Sequence, residues 1–176
     1  MRLALAAAGL AVLATPSFAM ELTSTDVTDG GTFDAKFVCA KYSGSSISPE
    51  LSWSGVPAGA KSLAVTMFDP DAGTAGFWHW LAVDIPVTAT GLDQNAGAAG
   101  GASMPAGTTP LPNGAKHASY DGPCPPAGAP HHYQITVWAL PDAKADVTAD
   151  MKPADVGAWL DKTAIDKARI TPLYGK

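Results

Sequence analysis

Cysteine is scarce in this 176-residue chain: Cys39 and Cys124 are its two. Charge is scarce as well, with 11 basic residues against 16 acidic ones and a net charge of -5. No stretch gathers lysine and arginine. Nucleic acid and anionic membrane surfaces both demand a positive field, so neither is expected as a main partner. Any anion the protein binds must be captured locally. Hydrolytic signatures are missing too. No serine sits in a Gly-x-Ser-x-Gly elbow, and no His-Glu-x-x-His occurs. After residue 20 no apolar run approaches the roughly 20 residues that a membrane-spanning helix requires.

The first residues read as a secretory leader. Arg2 gives a short positive end, Leu3 to Ala14 is apolar, and Pro16-Ser17-Phe18-Ala19 offers small residues at the usual cleavage spacing. The expectation is a leader over residues 1–19, a mature chain starting at or near Met20, and a periplasmic or secreted location. Residues 20–176 are of single-domain length and apolar enough to bury one core.

Along that domain, apolar runs of strand length alternate with turn residues. Phe33 to Cys39 alternates like a strand after Asp29-Gly30-Gly31. Leu51 and Trp53 share one face at period 2. Leu63 to Phe68 is continuously apolar and predicts a central strand covered on both sides. After Trp78, strict alternation would place His79, Leu81, Val83 and Ile85 on one face and Trp80, Ala82 and Asp84 on the other. Residues 88–119 are rich in small residues, Gly and Pro, and read as a long mobile loop near the functional pocket. The period then changes: Val156, Trp159, Leu160, Thr163 and Ala164 predict an amphipathic helix from about Pro153 to Ile170, with Gly157 as a weak point. The fold class is mainly β, a sandwich of two antiparallel sheets with a C-terminal α-helix.

Polar groups cluster where these strands begin or end. Asp69-Pro70-Asp71 follows the central run, and Phe77-Trp78-His79-Trp80 opens the next strand. Tyr120-Asp121-Gly122-Pro123-Cys124-Pro125-Pro126 precedes His131-His132-Tyr133, which opens the run to Leu140. Period 2 lets His131 and Tyr133 point into one pocket while His132 points away. Asp69, His79, His131 and Tyr133, with backbone donors around Gly122 to Cys124, make a small mixed-charge site. Such a set suits a phosphate or carboxylate head group, and an accompanying ammonium would find Asp69. The same residues also fit an Asp–His network that only holds the core together, or a three-ligand metal site of Asp69, His79 and His131.

The blocks Ser48-Pro49-Glu50-Leu51-Ser52-Trp53, Asp69-Pro70-Asp71-Ala72, Trp78-His79-Trp80, Gly122-Pro123-Cys124-Pro125-Pro126 and His131-His132-Tyr133 resemble, in order and rough spacing, the phosphatidylethanolamine-binding protein family. The bacterial Raf-kinase-inhibitor-like branch is the most similar. The resemblance implies a non-catalytic binding module without a cofactor, whose pocket takes a phosphate-type anion or a phosphoethanolamine-like head group. It implies a lining of Asp69, Asp71, His79, Gly122, Cys124, Pro125, His131 and Tyr133. His132 departs from the family's His-Arg-Tyr pattern, so the arginine's charged contacts are not carried over. Relatives that regulate kinases and a serine carboxypeptidase imply an alternative, inhibition of an envelope hydrolase by protein contact. Two readings stay open for the cysteines. An extracytoplasmic pair invites a disulfide, worth about 4 kcal/mol in chain-entropy terms. Cytosolic relatives with cysteines at both places imply buried free thiols instead.

Overall fold

In the computed structural model, which describes residues 19–176, the described residues form ten strands and one α-helix. The first part contributes β1 (Glu21–Thr23), β2 (Leu51–Ser54), β3 (Ser62–Asp69), β4 (Phe77–Pro86), β5 (Gly91–Leu92) and β6 (Thr109–Pro110). The second contributes β7 (His131–His132), β8 (Gln134–Leu140), α1 (Pro153–Thr163), β9 (Asp166–Ile170) and β10 (Leu173–Tyr174). Residues 1–18 of the expected leader lie outside the described residues. Five strands pair antiparallel in the order β6-β4-β3-β8-β9, and β1-β2-β5 make a second antiparallel sheet. A short β7–β10 ribbon completes the strand pairing. This is the mainly β sandwich with a C-terminal helix that the patterning predicts.

The continuous apolar run explains the arrangement. β3 is the middle strand of the larger sheet, so a polar residue on either face would lose water without a partner. On one side Val65, Met67, Ile135 and Val137 meet Leu51 and Trp53 of the smaller sheet. Ser52 and Ser54 alternate outward, as period 2 requires. On the other side Ala64, Leu81, Val83, Trp138 and Leu140 receive Val156 and Leu160 of α1. Burying each of these Val, Leu, Ile and Met side chains contributes about 1.5–3 kcal/mol.

Strict alternation fails along β4. Its register with β3 shifts twice, between Met67 and Phe68 and between Leu63 and Val65. At the first shift His79 is the extra residue, so His79 and Trp80 both face the core between the sheets, while Leu81 and Val83 face the helix. Near the second, Asp84 adopts a left-handed φ of 59°. Its carboxylate accepts from Thr109 Oγ1 and from the Ala145 N–H, each at 2.7 Å, and pairs with Lys144 at 2.8 Å. Ile85 thereby returns to the core between the sheets.

Two local expectations are corrected. Phe33 to Cys39 is not a strand: Asp34 accepts the Lys36 N–H at 3.0 Å and caps a 3-10 turn over Ala35–Phe37. A short side-chain acceptor offers the backbone a local alternative to a sheet ladder. The helix ends at Thr163, and residues 166–170 become an edge strand on β8 with Ala168 and Ile170 inward. Two inward residues at period 2 had merged into the helical period preceding them. Within residues 88–119, Asn113 and Gly114 lie against His79 and Phe77 beside the cavity described below, while residues 94–112 do not line it. Residues 88–119 are instead tied to the fold by buried Ala96, Leu111 and Asn113, the last donating through Nδ2 to the His79 and Ser119 carbonyls at 3.2 Å.

Gly157 is a packing requirement and not a weakness. A Cβ there would lie 2.2 Å from the Trp78 ring. Gly157→Ala is therefore expected to destabilise the protein by about 1–3 kcal/mol through overpacking, outweighing the roughly 1 kcal/mol helix-propensity gain. Urea unfolding measures the sign, and a net gain in stability would show that Trp78 does not fix the helix against the sheet.

Candidate ligand-binding site

The sheet delivers its polar residues to one end. β3 ends in Asp69, whose carboxylate is 2% exposed residue-wide and accepts the Asp71 N–H at 2.9 Å through Oδ1. That bond closes the Asp-Pro-Asp turn, the usual local use of an aspartate there. β4 brings Phe77 and His79, and β7 brings His131. Together with Asp71, Ala72, Gly73, Cys124, Pro125 and Pro126 they line a cavity of about 410 Å³.

Asp69 Oδ2 lies 2.7 Å from His131 Nδ1 and 4.0 Å from His79 Nε2. The first is a charge-assisted hydrogen-bond distance when the imidazole is protonated, and the second is too long for a direct bond. His79, 6% exposed, holds its Nδ1 at 2.9 Å from the Asp121 carbonyl. A carbonyl only accepts, which assigns the proton to Nδ1. Burial pulls the His79 pKa below its ordinary value, against the opposing pull of the Asp121 carbonyl and the Asp69 charge. A neutral His79 therefore presents Nε2 as an acceptor, and a protonated one presents a donor. The bond from His131 Nδ1 to Asp69 sets the same choice at its Nε2.

Tyr133 stands behind the histidines and does not line the cavity. It is fully buried, edge-on to His79 with ring centroids 5.3 Å apart and stacked with His131 at 6.4 Å. Its hydroxyl has no hydrogen-bond partner. Burial first, then the nearby Asp69 charge, push its pKa far up and keep the hydroxyl protonated. His132 does not face away without consequence. Its N–H and Nδ1 lie 2.7 and 2.8 Å from Asp71 Oδ2, and those bonds hold the Asp71 carboxyl below its usual pKa. Phe77, Ala72, Gly73 and Pro126 line the cavity outside the predicted set, and Phe77 is the one of them that touches His79. Its ring packs edge-on to His79 at 4.8 Å, and its spacing of two from His79 was the available signal.

Gly122 sits against the chain at Phe37 and Val38, where a Cβ would come within 2.4 Å of the Phe37 carbonyl. Its N–H lies 3.3 Å from Ser46 Oγ, and it faces an adjoining recess of about 280 Å³ that shares Phe77, His79 and Cys124 with the main cavity. Cys39 and Cys124 are joined by a disulfide with Cα atoms 5.5 Å apart. Cys124 is thus no free nucleophile. Among the described residues no group of three His, Cys, Asp or Glu side chains is arranged to hold a metal ion.

A small cavity at the strand ends of a β-sandwich, with a buried Asp–His centre and an apolar rim, fits a ligand-binding module. The family profile described as phosphatidylethanolamine-binding protein matches residues 23–175. UPF0098 protein YbcL of Escherichia coli (strain K12) is 42% identical over 160 residues, covering 89% of this chain and 87% of YbcL. UPF0098 protein YbhB of the same organism is 38% identical over 158 residues, 88% of this chain and 99% of YbhB. The crystal structure of E. coli YbcL, described as a new member of the mammalian PEBP family, matches with a TM-score of 0.85 over 89% of this chain and 98% of that one. The chain belongs to the phosphatidylethanolamine-binding protein family.

The depressed His79 pKa has a testable sign. Between the native value and about 6.5 the unfolded chain binds more protons than the folded one, so this residue's contribution to stability is lost as pH falls through that window. Imidazole NMR of the ligand-free protein is expected to give His79 a midpoint below 6.5. A midpoint at or above that value would contradict the dominance of burial.

Proposed function

We propose that the cavity binds a phosphate-type anion, best as a phosphoethanolamine-like head group, and that the protein is a binding module with no chemical step of its own. The observation that carries this reading is the pair of imidazoles around one buried carboxylate. Asp69 orients His131, the Asp121 carbonyl orients His79, and each ring keeps Nε2 for a ligand. As imidazolium, each ring donates to a phosphate oxygen; as neutral imidazole, each accepts from a protonated phosphate or an ammonium. Asp71, more exposed than Asp69, supplies a second carboxylate at the rim for a cationic group. Phe77, Pro125 and Pro126 give the mouth an apolar edge against which an ethylene linker can lie.

The family's name points to the same head group, and the expected leader supports an envelope setting for this binding. A Mycobacterium tuberculosis relative, 37% identical over 133 residues, carries the name LppC and a description as a candidate lipoprotein, which supports an envelope setting. Among the described residues no helix is long and apolar enough to cross a membrane.

Sulfate tests the anion half, because it remains a dianion while His79 titrates. Its binding is expected to strengthen as pH falls below about 6.5 and His79 gains its proton, with sulfate-induced NMR shifts at His79 and His131. Removing one charge-assisted bond by His131→Ala should weaken binding by roughly 10- to 150-fold. Asp71→Asn should weaken phosphoethanolamine and leave sulfate unharmed. Binding that ignores both pH and His131→Ala would place the ligand elsewhere.

A further inference from the structure

The cavity wall between Tyr120 and His131 has no regular secondary structure. It is held by scattered contacts. The Cys39 N–H donates to the Pro123 carbonyl at 3.1 Å, the Gly128 N–H to the Lys176 carbonyl at 2.8 Å, and the Tyr42 hydroxyl to the Pro125 carbonyl. The one covalent tie is the Cys39–Cys124 disulfide, 85 residues apart in sequence. Its other anchor is also irregular, the pair of short 3-10 turns at Ala35–Phe37 and Ala40–Tyr42. The S–S bond thus adds a covalent tie to these hydrogen bonds, between two cysteines that lie outside every strand, while the Asp121 N–H anchors the start of the wall to the His79 carbonyl of β4 at 3.0 Å. The bond also borders open space. Cys124 is exposed and lines both the main cavity and the adjoining recess, whereas Cys39 is half-buried and lines only the recess.

We propose that this disulfide is a thiol-exchange site whose state sets the anion affinity of the cavity. A low-molecular-weight thiolate attacks Cys124 Sγ and forms a mixed disulfide there. The Cys39–Cys124 bond breaks, and its electron pair leaves on Cys39 Sγ, which takes up a proton. A second thiolate attacks the outer sulfur of the mixed disulfide, forms a small-molecule disulfide and releases Cys124 as a thiolate. Two small thiols are oxidised to one disulfide while the protein disulfide is reduced to two thiols. The mixed disulfide places the thiol's body at the cavity mouth, and full reduction removes the covalent tie of residues 123–130 to Cys39, leaving the Cys39 N–H bond to the Pro123 carbonyl. Either product loses the pre-organised wall that favours binding.

The affinity half of this proposal rests on the head-group reading; the exchange half does not. The test treats the folded, oxidised full chain with glutathione in the absence of denaturant, traps the thiols and maps the adduct. An adduct on Cys124 is expected, with phosphate affinity at least about threefold weaker after reduction. The Cys39→Ser/Cys124→Ser double variant should match the reduced protein in affinity. No adduct without denaturant, an adduct on Cys39, or equal phosphate affinity before and after reduction overturns the proposal. Failure of the oxidised protein to bind phosphate overturns the head-group reading instead. Amide exchange of residues 122–130 then decides: faster exchange after reduction supports the latch, and unchanged exchange removes it.

Discussion

A buried carboxylate with an imidazole against it is the interaction on which the site depends. Asp69 lies at the end of a fully covered central strand, where an unpaired charge would cost several kcal/mol. The His131 ring at Oδ2 and the Asp71 N–H at Oδ1 meet that cost. Because the partners come from a turn and from β7, satisfying one charge also fixes the geometry of three chain segments. Taking His131 away would leave the carboxylate buried and short of a partner, so the pair is structural as well as part of the proposed binding site. That double use explains how an Asp–His core network and a ligand site can be one constellation.

The position of His79 follows from the sheet. β4 must present Leu81 and Val83 to the helix and Trp80 to the smaller sheet. A regular strand carrying those residues would also turn His79 toward the helix, where Trp78 and Gly157 are already in contact. The register shift opposite Met67 and Phe68 turns His79 toward Tyr133 and the cavity. Helix packing on Trp78 and the cavity lining at His79 thus occupy opposite sides of adjacent residues, separated by one irregularity in hydrogen bonding.

Those features divide sharply in how well the chain reveals them. The central strand was legible because burial on both faces demands an uninterrupted apolar run, and Leu63 to Phe68 supplies one. Leu51 and Trp53 were legible because one exposed face leaves a clean alternation. The polar residues at strand ends were legible as a group, since Asp69, Asp71, His79 and His131 all reach the cavity lining. The face of His79 was hidden, because period 2 assumes an unbroken ladder and cannot foresee an extra residue. Tyr133 was placed on the correct side but one layer too far forward, since alternation gives direction and not depth. Asp166 to Ile170 was lost for a different reason: its pairing partner, β8, lies about thirty residues upstream, and no local pattern encodes it.

The central claim is that this Asp–His centre receives a phosphorylated head group. A crystal of the oxidised protein soaked with phosphoethanolamine tests it directly. The phosphate oxygens are expected within hydrogen-bonding distance of Nε2 of both His79 and His131, with the ammonium beside Asp71. An empty cavity at saturating ligand, or a phosphate bound away from both imidazoles, would contradict it.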